Sequence, residues 1–127
     1  MPDTIDSGRF VILEHVWNGV HWDFMIEQGS GLRTWAIDAP IVTGADLPAR
    51  WLPDHRLAYL DYEGPVSGER GWVRRIDRGT YRILEHSEAR LRLALWGCQL
   101  VGEVVLNRSR DESTGSESWT FRLGNFD

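Results

Sequence analysis

Arg9-Phe10-Val11-Ile12-Leu13-Glu14-His15-Val16-Trp17-Asn18-Gly19-Val20-His21-Trp22-Asp23-Phe24-Met25-Ile26-Glu27 reads as two strands joined by a tight turn. Arg9–Leu13 is a β-branched run, His21–Glu27 alternates, and Asn18-Gly19 is the strongest short hairpin signal. Loop length decides which side chains share a face. With Asn18 and Gly19 alone in the loop, Trp17 pairs with Val20, and His15 lies on the opposite side from His21 and Asp23. A loop of Trp17-Asn18-Gly19, with Gly19 left-handed as a G1 bulge, moves the register by one residue. Val16 then pairs with Val20, His15 stands opposite His21, and Asp23 follows along the same face. Two imidazoles and a carboxylate gathered this way half-surround a divalent metal and leave positions for water and substrate. The odd loop is the expected register.

Working outward, Leu32–Ile37 alternates again after a Gly29-Ser30-Gly31 turn. Further strands are expected at Trp72–Asp77, Thr80–Glu85, Arg90–Trp96, Glu103–Asn107 and Trp119–Leu123, with turns at Asp77-Arg78-Gly79, Trp96-Gly97 and Gly124-Asn125. The fold class expected is all-β and mainly antiparallel: a small closed or partly open β-barrel of about eight strands with at most a short helix. The one helical turn is expected within Ala45–Arg50, shortened by Pro48. The 127 residues suit a single domain, 1–127, with residues 1–8 as a flexible N-terminus and 109–118 as an exposed loop.

One cysteine, Cys98, rules out an internal disulfide and suits a reducing cytoplasm. No secretory h-region and no run of about 18 apolar residues is present, so a cytoplasmic location without membrane is expected. The net charge is −5, which argues against coating nucleic acid by bulk attraction. All fourteen basic residues are arginine. A GC-rich genome is the plain source of that usage, yet arginine forks also grip a single terminal phosphate.

Pro53-Asp54-His55-Arg56-Leu57-Ala58-Tyr59-Leu60-Asp61-Tyr62-Glu63-Gly64 is a second polar concentration. If extended, it puts His55 and Tyr59 on one face. Imidazolium and phenol both donate to phosphate oxygens, and the histidine can protonate a leaving group. The plainer alternative is a core edge or loop. Elsewhere, His86 reads as an exposed residue of a charged turn, and Cys98 has no histidine nearby to activate it. Arg74 and Arg75 point to opposite faces of an alternating strand. The tryptophans mostly serve the core, with one or two at the barrel mouth able to stack a base.

The ordered set of these residues resembles the 3′-phosphoesterase domain of bacterial DNA ligase D. The resemblance starts with Arg9-Phe10-Val11-Ile12 leading to Glu14-His15, then His21-Trp22-Asp23-Phe24 and Glu27. It continues through Leu32-Arg33-Thr34-Trp35-Ala36, Asp54-His55 with Tyr59, Tyr62-Glu63-Gly64 and Gly68-Glu69. It runs on through Asp77-Arg78-Gly79-Thr80-Tyr81, Leu91–Leu100 with Gly102, and Trp119. It implies a β-barrel that binds Mn²⁺, or another divalent metal, and removes 3′-phosphate or 3′-terminal ribonucleosides during strand-break repair. The implied partners are 3′ ends of DNA or of a DNA–RNA primer-template, together with a separate ligase or repair polymerase. Carried over position by position, His15, His21 and Asp23 match the metal ligands, His55 the phosphate-contacting histidine, and Tyr59 the neighbouring tyrosine.

Departures accompany the matches. The family's arginine two residues after the metal-binding aspartate falls on Met25, its lysine on Ala39 and its glutamine on Leu13. Arg50 matches a further phosphate-binding arginine only if the connection is three residues shorter. The family's basic N-terminal arm is absent. Losing one such arginine costs about 10²–10³ in rate. A catalytically weakened relative that binds nucleic-acid ends or a protein is therefore the alternative. A third reading takes His21-x-Asp23 with His86 as the facial triad of an Fe(II) oxygenase barrel.

Overall fold

The computed structural model describes residues 6–126. Of the stretch 1–8, residues 1–5 lie outside those described, while Ser7 and Gly8 already belong to the first strand. The strands are β1 (Ser7–Val16), β2 (Val20–Gln28), β3 (Gly31–Ile37), β4 (Asp46–Arg56), β5 (Gly64–Pro65), β6 (Trp72–His86), β7 (Arg90–Gly97), β8 (Val101–Arg110) and β9 (Glu117–Gly124). Their order is β1-β2-β3-β4-β9-β8-β7-β6-β5, and β6 also pairs with β1. That last pairing closes an antiparallel barrel of eight strands, with the two-residue β5 as an added edge. A 3-10 turn, Leu57–Leu60, is the single helical element among the described residues, and no helix there is long and apolar enough to cross a membrane.

Two expected elements are corrected. Ala45–Arg50 is not helical; most of it opens β4, where Pro48 sits opposite Thr120. Asp77-Arg78-Gly79 is not a turn either but the middle of β6. There the buried Asp77 carboxylate accepts N–H bonds from Arg78 and Cys98 at 2.9 Å and from Leu100 at 2.8 Å, tying the β7–β8 turn to β6. The expected loop 109–118 is also tighter, because Ser109 pairs with Ser118 and Arg110 with Glu117.

Alternation divides the side chains into two cores. Phe10, Ile12, Phe24, Ile26, Trp35, Ile37 and residues of every other barrel strand fill the interior. The alternate residues Val11, Leu13, Met25 and Leu32 lie on the outer face, where they pack with Val73, Leu60 and Val66. Leu60 and Val66 belong to a strap, residues 57–71, that crosses the outside of the barrel. Ion pairs hold it there: Asp61 with Arg9 at 2.7 Å and Glu63 with Arg75 at 3.8 Å. Trp35 and Trp119 are buried, but Trp17, Trp51, Trp72 and Trp96 are exposed, so fewer tryptophans serve the core than expected.

Candidate metal centre

The hairpin register brings the first cluster together. Val16 pairs with Val20, His15 with His21 and Leu13 with Asp23, leaving Trp17, Asn18 and Gly19 in the loop. Asn18 as well as Gly19 takes positive φ, at 53° and 109°, so the left-handed bend is shared. Side chains of His15, His21 and Asp23 emerge on the outer face, each offering one ligand atom within 4.8 Å of the others.

Asp23 is buried beneath the two imidazoles. Its Oδ2 lies 3.5 Å from His15 Nδ1 and its Oδ1 lies 3.0 Å from His21 Nε2. The latter approach is close enough for charge attraction but not aligned as a hydrogen bond, so Oδ1 is a buried oxygen without a hydrogen-bond donor. Burial alone would push the Asp23 carboxyl up; His15 and His21 outweigh it and hold the group below its ordinary value. The His15 imidazole is raised, chiefly by the Asp23 carboxylate. An orphaned buried carboxylate oxygen costs about 1–3 kcal/mol or more unless a cation meets it. The donor set, two nitrogens and a carboxylate, fits a borderline divalent ion.

The strap fixes the ring of His15. His15 Nε2 lies 2.8 Å from the Arg70 carbonyl oxygen. A carbonyl only accepts, so Nε2 carries hydrogen and Nδ1 is left facing Asp23. Gly71 makes the approach feasible: its φ is +72°, and a Cβ there would sit 1.8 Å from the Val16 carbonyl oxygen. No larger residue lets the strap return so close to the hairpin.

A cleft of about 640 Å³ opens beside these groups, between the outer sheet face and the strap. His15, Asp23, His55, Tyr59 and Arg70 line it, together with Met25 and Leu13. His55 is the penultimate residue of β4 and Tyr59 lies in the 3-10 turn, so the segment is not extended throughout; the chain bends and still sets the two rings 5.9 Å apart. His55 Nδ1 is 2.9 Å from the Pro53 carbonyl oxygen, leaving Nε2 as its uncommitted ring nitrogen. The charge of His55 is felt at Asp23.

Other expected residues fall elsewhere. Arg50 shares the outer row of Asp23 and Ala36, but its guanidinium is tied to Asp38 at 3.0 and 3.1 Å and does not line the cleft. Arg74 and Arg75 each meet a carboxylate, Glu14 and Glu63. His86 lies in a separate cleft at the barrel mouth with Arg33, Trp51 and Trp119, away from His21 and Asp23, which removes the triad reading. Tyr59 on the strap is among the expected site residues, but Arg70 is not; its signal is Gly68-Glu69-Arg70-Gly71, a polar turn bracketed by glycines.

Residues 13–108 match the family model described as the DNA Ligase D 3′-phosphoesterase domain. The chain is similar to the multifunctional non-homologous end joining protein LigD of Mycobacterium bovis, 39% identical over 85 residues. The multifunctional non-homologous end joining DNA repair protein LigD of Mycobacterium tuberculosis is 39% identical over the same length. Each alignment covers 63% of this chain and 11% of the relative.

Proposed function

The chain belongs to the DNA ligase D 3′-phosphoesterase domain family, and on that premise we propose that it is a metal-dependent 3′-phosphoesterase of DNA repair. In this reading it acts in the cytoplasm, removing 3′-phosphate or a 3′-ribonucleoside from ends that a ligase or polymerase then uses. His15, His21 and Asp23 hold the metal, Mn²⁺ by the family resemblance. The observation that supports this most is the buried, donorless Asp23 Oδ1 beside two imidazoles, next to a cleft that Asp23 and His15 help to line.

A bound divalent ion supplies Lewis acidity, neutralising phosphate charge and acidifying water. The chain's own residues do the rest. His55 and Tyr59 face the same cleft and hold phosphate oxygens as charge develops on them. Hydrolysis of a 3′-phosphate joins a water oxygen to phosphorus, breaks the bond from phosphorus to O3′ and leaves a proton on O3′. His55, protonated at Nε2, delivers that proton. The strap excludes bulk water from one side of the cleft and fixes the ring of His15.

A second reading, a weakened relative that binds ends without cleaving them, is favoured by the apolar wall of Leu13 and Met25. One experiment separates the two. Purified protein with Mn²⁺ is given a primer-template ending in a 3′-phosphate, and phosphate release is followed. Release that falls about 10²-fold in His55→Ala supports the enzyme. No release from protein with measured Mn²⁺ binding supports the binding module.

A further inference from the structure

We propose that Arg70 supplies the phosphate-gripping guanidinium of this site, from the strap, in place of the arginine whose family position holds Met25. The inference deepens the phosphoesterase reading and rests on it. Its starting point is the pairing of the arginines. Ten of the fourteen lie within 4.0 Å of a carboxylate. Among the described residues, Arg33, Arg56, Arg70 and Arg82 have no such partner. Only Arg56 and Arg70 of these line the metal cleft.

Position separates the two. Arg56 sits at the His55 end, 5.8 Å over the Tyr59 ring. Arg70 sits at the metal end: its carbonyl receives His15, and its positive charge is felt at that imidazole. Its guanidinium is held but not used up. Nε donates to the Ser67 carbonyl at 2.7 Å and Nη2 contacts Ser67 Oγ at 3.2 Å, leaving Nη1 uncommitted. Such anchoring lowers the entropy lost when a fork closes on phosphate. Met25, by contrast, is buried on the cleft floor and offers no donor.

The backbone around Arg70 points the same way. Gly68, Glu69 and Gly71 take φ of 74°, 56° and 72°, so three of four consecutive residues are left-handed, one of them not glycine. The glycines adopt this bend freely, but Glu69 does so at a cost that its surroundings must hold in place. Here the bend lays the Arg70 carbonyl on His15 and its side chain beside the cleft.

The test exploits that division of one residue into two roles. Arg70→Gln keeps the backbone carbonyl, so Mn²⁺ affinity should stay at the wild-type value. Affinity of the Mn²⁺-loaded protein for inorganic phosphate, by calorimetry, should fall about tenfold or more. Phosphate release from a 3′-phosphate end should fall about 10²-fold in kcat, and guanidinium ion added to Arg70→Ala should restore part of it. Unchanged phosphate affinity in Arg70→Gln overturns the proposal, as does a loss of Mn²⁺ affinity that accounts for the whole effect. Wild-type protein that binds phosphate but hydrolyses no 3′-phosphate end sinks the enzymatic reading alone, and the phosphate measurement still decides Arg70. Wild-type protein that binds Mn²⁺ but no phosphate overturns the clamp.

Discussion

The two faces of the β1–β2 hairpin are built from alternate residues of the same strands yet held by different means. Inward, Phe10, Ile12, Phe24 and Ile26 meet side chains from every strand of a closed barrel. Phe24 alone stands against Phe10, Trp35 and Phe121, with centroids 5.3–6.4 Å away. Outward, Val11, Leu13 and Met25 meet Leu32 and Val73 of the barrel and Leu60 and Val66 of a strap pinned by exposed ion pairs, and the row ends in His15, His21 and Asp23. Exposed pairs contribute roughly 0–1 kcal/mol each. Stability is therefore concentrated inside and chemistry outside, and the strap can be remodelled without dismantling the barrel.

The largest effect expected from breaking this division is on the inner face. Phe24→Ala should lower unfolding free energy by about 3–5 kcal/mol, because a closed barrel cannot collapse into the cavity. Urea titration gives the number. Mn²⁺ affinity of the fraction that remains folded should be unchanged. A loss under about 1 kcal/mol would mean that the interior is no better packed than the strap.

Next in size is the mirror-image change on the outer face. Four-ligand structural zinc sites bind with roughly 10–16 kcal/mol, about 3 kcal/mol per ligand, so on that scale one ligand is worth ~10² in affinity. Asp23→Asn should lose Mn²⁺ affinity by that factor. Stability of the metal-free protein at neutral pH should move by less than about 1 kcal/mol, since without the carboxylate the His15 imidazole falls back toward its ordinary value. Calorimetric Mn²⁺ titration beside thermal melting checks both halves, and a cooperative loss of fold would show that the faces are not separable.

Much of this division was legible in residues 9–27. Strand parity and the odd loop at Asn18-Gly19 place His15 opposite His21, as the register has it. Parity cannot say which face a barrel turns inward when both faces are apolar. Val11-Ile12-Leu13 reads the same either way, so the outer position of the His15, His21 and Asp23 cluster is not visible from it. β4 does not read as a strand because Pro48, Pro53 and Asp54 depress strand propensity; in the fold Pro48 pairs with Thr120 of β9, and Pro53 and Asp54 fall at the irregularity where the register with β3 shifts. β6 was split at Asp77-Arg78-Gly79 because a turn tripeptide and a strand crossing look alike locally. Gly79 is required by the Trp96 carbonyl, which a Cβ would meet at 1.9 Å. These two errors offset each other, and the number of strands came out near the observed one. Arg70 escaped notice because its role depends on a strap folding back across 55 residues of chain.

The smallest expected effect is the most selective between the faces, because the two shifted groups, Asp23 and His15, both lie on the outer one. In the metal-free protein the Asp23 carboxyl is held below its ordinary 3.8 and the His15 imidazole above its ordinary 6.5. A depressed acid contributes stability above 3.8 and loses it as pH falls through its lowered value. A raised imidazole contributes fully below 6.5 and loses it as pH rises through its raised value. Both contributions coincide between 3.8 and 6.5, so the metal-free melting temperature should drop by a few degrees from about pH 6 to about pH 8. On the proposed ligand set Mn²⁺ would compete with the proton on His15, so its own stabilising effect should grow over the same interval. Phe24→Ala should keep this pH slope on a lower baseline, since Phe10, Ile12, Phe24 and Ile26 carry no titrating group. Asp23→Asn should flatten it. A slope that survives Asp23→Asn would place the titrating group elsewhere and dissolve the assignment of charge chemistry to the outer face alone.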